Sequence, residues 1–149
     1  MPVMESNRPS DGSVDAAQLW PGGIATAVVA GLAALLGILA FRWLFDVPIL
    51  APASAGAYGD ADTTAYVFAA AGMALIATAL LHLLLLTTPR ALVFFGWIIA
   101  LATLVAVVFP FGTTAPLSQK LATATVNLFI GIAIGSLLTA VAKRSVRSG

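Results

Sequence analysis

Residues 65–109 read AYVFAAAGMALIATALLHLLLLTTPRALVFFGWIIALATLVAVVF. Two apolar runs are separated only by Thr87-Thr88-Pro89-Arg90. Each run is close to the ~20 residues that a helix needs to cross the hydrocarbon of a bilayer. Neither contains Asp, Glu, Lys or Arg. Inside lipid the backbone polar groups must pair within the segment, and a helix achieves this. The link is too short to return the chain across the bilayer, so the two runs form an antiparallel helical hairpin. Thr88 is the expected N-cap of the later helix and Pro89 its first residue.

Working outward, an earlier apolar run covers about residues 24–45, bracketed by Trp20 and Trp43, and a last run covers about 116–142. Aromatic residues of this kind favour the two interfaces. The reading is therefore an all-α, polytopic membrane protein, a four-transmembrane-helix bundle over residues 20–147 with spans at about 24–45, 65–86, 91–109 and 116–142. Residues 1–19 are polar and broken by Pro2, Pro9 and Gly12; they read as a mobile tail. The first span lacks a basic flank on its N-terminal side and is longer than the apolar part of a secretory leader, so it is expected to stay uncleaved.

Composition agrees. Of 149 residues, 60% are hydrophobic and only 9% charged, and the mean hydropathy is +1.03. A soluble domain carries about 25% charged residues. Cysteine is absent, which removes disulfides, thiolate metal sites and thioether-linked haem. There is no basic stripe for nucleic acid. The expected surroundings are the lipid bilayer and a membrane protein partner or second copy. No cofactor or metal is expected.

The two connections at the far end are a polar loop at 46–64 and a short one at 110–115. The first reads as a solvated linker, in which Thr63 or Thr64 caps the next helix beside Asp60 and Asp62. Arg8, Arg90, Lys143, Arg144 and Arg147 fall on the side of the termini, and only Arg42 and Lys120 on the other. The positive-inside rule then puts both termini in the cytoplasm, in a multi-pass protein of the plasma membrane.

A transport or catalytic site within a membrane usually shows itself through ionisable groups at depth, because these are costly there and kept only for use. No span holds a carboxylate or a strong base, which argues against a proton-coupled antiporter, a voltage sensor and an enzyme. His82 is the only histidine. It shares a stripe of spacing four with Ala70, Ala74 and Thr78 and so should face protein rather than lipid. It is a candidate intramembrane polar site, read either as a ligand or relay group or as a side chain bonded to a neighbouring helix. In the last span Thr123, Asn127, Gly131, Gly135 and Thr139 recur every four residues. They form a small, partly polar face in which Gly131 and Gly135 let two backbones approach closely. Packing inside the bundle is the first reading of this face, with a homo-oligomer or partner contact and a pore lining behind it. The first span repeats the theme with Ala27, Ala30, Gly31 and Ala34. The third is bulky and is expected to be the most exposed to lipid, or to dock a partner.

The polar tail, the first span rich in Ala and Gly, the Pro-containing loop, the Pro89-Arg90 turn and the small residues from Asn127 to Gly135 together resemble small four-span actinobacterial membrane proteins of a domain-of-unknown-function family. The likeness covers about residues 20–147 and implies no activity. Small multidrug exporters are similar in size, but they need a glutamate in the first span, where this chain has none. The expected function is a non-catalytic accessory or structural subunit of a larger membrane complex. The alternatives are an oligomeric transporter or channel for a small molecule, ion or lipid, and a lipid-binding protein that uses the grooves beside the small faces.

Overall fold

The computed structural model describes residues 16–54, 57–60 and 62–147. Four helices follow one another: α1 (Ala16–Leu44), α2 (Thr63–Thr87), α3 (Ala91–Val108) and α4 (Leu117–Arg147). All four are long and apolar enough to cross a membrane, and the fold is an all-α bundle. Between α1 and α2 two short strands, β1 (Leu50–Ser54) and β2 (Ala57–Asp60), pair antiparallel with an irregularity between Pro52 and Ser54. A 3-10 turn at Phe109–Gly112 ends α3. The bundle thus has a terminal end, holding the start of α1, the α2–α3 turn and the end of α4, and a ribbon end, holding the strands and the 3-10 turn.

The order of packing follows side-chain size. α1 packs against α2 and α4, while α3 leans on α4 and less extensively on α2. On α1, Ala27, Ala30, Gly31 and Ala34 are all buried, as are Ala70, Ala74 and Thr78 on α2. Small side chains let helix backbones approach until dispersion contacts become dense, which is the main attraction between helices when the solvent is itself apolar. Four glycines show how close the approach is. A Cβ on Gly23 would lie 2.4 Å from the Thr78 side chain, on Gly22 2.4 Å from Val141, on Gly37 2.8 Å from Val126, and on Gly131 2.2 Å from Thr103.

Several local expectations need correction. The first helix begins at Ala16, so residues 16–19, read as mobile tail, belong to it, and Leu19 is fully buried. Residues 1–15 of that tail lie outside the described residues. Pro21 lies inside α1, more than one turn past its first residue, and the helix runs through it despite the N–H that proline lacks; the Trp20-Pro21-Gly22-Gly23 sequence therefore does not mark the start. Asp62, not a threonine, caps α2 by accepting from the Thr64 N–H at 3.1 Å. Thr88 does not cap α3. It closes α2, its N–H donating to the Leu84 carbonyl at 2.8 Å. Proline holds the residue before it extended, and Arg90 then reverses the chain in the left-handed region at φ 58°, leaving Ala91 as the first residue of α3. The loop read as a linker is folded onto the bundle: Ile49 is fully buried and Leu50 nearly so.

Candidate functional site

The small, polar face of α4 is where the structure spends its polar groups. Thr123 comes first. Its hydroxyl accepts the backbone N–H of Leu50 at 2.9 Å and donates to the Gln119 carbonyl at 2.8 Å. It is buried, and it anchors the first residue of β1 to α4.

Asn127 comes one turn later and joins three helices. Its Oδ1 accepts from the Tyr66 hydroxyl of α2, and its Nδ2 donates to the Ala106 carbonyl of α3 at 2.8 Å. The second bond has a local cause. In a regular helix the Ala106 carbonyl would accept the N–H of residue 110, but that residue is Pro110 and has none. A carbonyl left bare in an apolar medium is costly. Asn127 supplies the missing donor from the neighbouring helix.

Gly131 and Gly135 follow, facing Thr103 and Ile99 of α3. The GxxxG pair is therefore occupied within the bundle and seats α3 on α4. Thr139 lines the far end of an open groove on the outer side of the same contact. The five residues of the face are brought into one line, although what each touches changes from strand to α2 and α3.

His82 lies apart, toward the terminal end. The Trp20 indole N–H donates to its Nδ1 at 3.0 Å, and the two rings meet edge-on. The half-buried imidazole pins the start of α1 to the end of α2. At the other end Arg42 and Thr63 link the same two helices, at 3.4 Å. Among the described residues no three metal-ligating side chains come together.

A groove beside the small faces was among the sequence expectations, without a place in the bundle. A cleft of about 520 Å³ lies between α2, α3 and α4. Its back wall is α4, from Thr123 to Ile134, and its sides are α2 from Tyr66 to Leu80 and α3 with the following 3-10 turn from Ile98 to Pro110; Leu50 of β1 borders it at the ribbon end. The side walls stop short of the Thr88–Arg90 turn, where Phe95 is fully buried and closes the terminal end. The cleft is open between α2 and α3, whose Met73, Ile76 and Val105 are exposed at the mouth. Its lining is apolar except for Tyr66, Thr103, Thr123 and Asn127, all but Thr103 grouped at the ribbon end. The alanines at 69, 70, 77, 102 and 106 were the available signal, since small residues on facing helices leave room as readily as they allow contact.

A family model matches residues 14–144. The chain belongs to the DUF6069 family. This is a family of unknown function, as the resemblance implied. The match spans all four helices, so the DUF6069 unit comprises the whole bundle, including the start of α1 and the β-ribbon. No curated protein and no solved structure matches the chain.

Proposed function

We propose that this chain is a non-catalytic accessory or structural subunit of a larger membrane protein assembly. The observation that carries the reading is the destination of its polar side chains. Tyr66, Asn127, Thr123 and His82 are each bonded to another part of the same chain. These bonds fix helix positions and, among the described residues, leave no nucleophile–base pair poised for chemistry. Meanwhile α3 presents Phe94, Trp97, Leu101, Leu104 and Val108 outward, a broad rigid surface of bulky side chains for a neighbouring helix.

The subunit sits in the plasma membrane with its terminal end in the cytoplasm. Arg90, Lys143 and Arg144 lie at that end, and Arg42 and Lys120 at the other, which favours this orientation. The alanine and glycine bias of the helices supports an actinobacterial source. Purification in mild detergent tests the assignment: a membrane protein partner should co-purify in a fixed ratio, and a clean monomer with nothing attached would remove the reading.

One observation favours a second reading, an oligomeric transporter or channel. Thr123, Asn127 and Gly131 share one wall of the cleft, which extra copies could turn into a path. Flux into liposomes should then fall in Asn127→Leu; no flux from the wild-type chain would end that reading.

A further inference from the structure

The cleft between α2, α3 and α4 poses a packing problem that the chain does not solve alone. An unfilled space of 520 Å³ forfeits the dispersion contacts of every group that lines it. Water is a poor occupant. A buried water needs two to four polar partners, and Tyr66, Asn127 and Thr123 already bond to one another or to the backbone. The occupant must therefore be apolar.

The length open to it can be estimated. From Tyr66 to Leu80 the α2 wall is about 21 Å long at 1.5 Å per residue. One extended hydrocarbon chain can lie along a slot of this length against the apolar walls of α2, α3 and α4. The mouth of the cleft opens sideways between α2 and α3, where such chains are the solvent.

Charge selects the head. On α4 the cleft is lined at Thr123, Asn127, Ile130 and Ile134, a stripe of alternating steps of four and three. One step outward, the same stripe reaches Lys120, half-buried in the first turn at the ribbon end. The polar end of the cleft and a cation thus lie in line along one helix, in the order in which a phospholipid presents its chain and its phosphate.

We propose that the cleft binds one anionic phospholipid from the leaflet at the ribbon end, with an acyl chain between α2 and α3 against α4 and its phosphate at Lys120. The affinity arises from filling the slot and from the phosphate–ammonium pair. Transfer of the chain out of bulk lipid contributes little, because lipid tails are as apolar as the walls.

The test uses the full chain in mild detergent with phosphatidylglycerol or phosphatidylcholine added, read by native mass spectrometry. One phosphatidylglycerol per chain should be retained, with about tenfold preference over phosphatidylcholine. Lys120→Gln should abolish the preference. Ala102→Phe, which places a ring in the cleft from an exposed position on α3, should reduce retention of both lipids about tenfold. A readout free of any folding defect comes from the wild-type chain in vesicles of phosphatidylglycerol carrying a photoreactive group on the acyl chain. Adducts should concentrate at Met73, Ile76 and Ile98. Adducts spread evenly over the outer faces of α1 and α3 would overturn the proposal. So would a stable dimer that excludes lipid from the cleft, or undiminished retention by a folded Ala102→Phe chain.

Discussion

α1 and α3 are almost equally apolar, with mean hydropathy of 2.5 and 2.7 over their most apolar stretches, yet 33% of that stretch is buried in α1 and 6% in α3. In water the more apolar helix would be expected inside. In lipid that driving force vanishes between helices, and the discriminating property becomes side-chain size. α1 carries Gly22, Gly23, Ala27, Ala30, Gly31 and Ala34 on the sides that meet α2 and α4. α3 carries Val93, Phe94, Trp97, Leu101 and Leu104, all exposed. Its hold on the bundle comes instead from the glycines of α4 and from one asparagine.

The strongest way to break the comparison is to exchange glycine for leucine on each helix. Gly23→Leu drives a side chain into Thr78, which is itself fully buried. It should destabilise the bundle by about 3 kcal/mol, read as a loss of thermal stability in detergent. Gly96→Leu on α3, with nothing within 4 Å of its added Cβ, should stay within about 0.5 kcal/mol of wild type. Equal effects would mean that size does not set the order of packing.

A smaller effect sharpens the account of how α3 is held. Asn127→Leu strands the Ala106 carbonyl and the Tyr66 hydroxyl and should cost about 1–3 kcal/mol. In a Pro110→Ala background the backbone N–H of residue 110 can serve Ala106, and the cost of Asn127→Leu should fall by about 1 kcal/mol. Additive penalties across that double-mutant cycle would show that the asparagine does not stand in for the missing donor. Tyr66→Phe removes one bond only and should cost about 1 kcal/mol. Smallest of all, Arg90→Gly relieves a left-handed residue and should stabilise the hairpin by about 1 kcal/mol or less; a loss of stability would assign the arginine side chain a structural role.

Much of this was legible in the sequence. The four spans follow from run length and the absence of charge, and the buried faces of α1 and α2 follow from small residues at helical spacing. The exposure of α3 follows from its bulk. His82 facing protein also follows, from its place on the Ala70–Ala74–Thr78 stripe. What stayed hidden depends on pairing between distant residues. Nothing in the sequence links Trp20 to His82, or Asn127 to a carbonyl that Pro110 deprives of its partner. The start of α1 was obscured because Pro21 and two glycines imitate a helix boundary, although the glycines serve close approach to α2 and α4. The position of the cleft was hidden because alanine signals contact on one pair of helices and vacancy on another, and only the splay of α2 from α3 decides between them.

The central claim is that α3 turns its bulky face to lipid while small residues build the interior. The chain has no cysteine, so single cysteines carrying a nitroxide can be placed along α3 in the reconstituted isolated chain. Collision with dissolved oxygen should be high at Val93, Trp97, Leu101, Leu104 and Val108 and low at Phe95 and Ile99. Uniformly low oxygen collision along α3, with high collision from a water-soluble nickel chelate, would contradict the account.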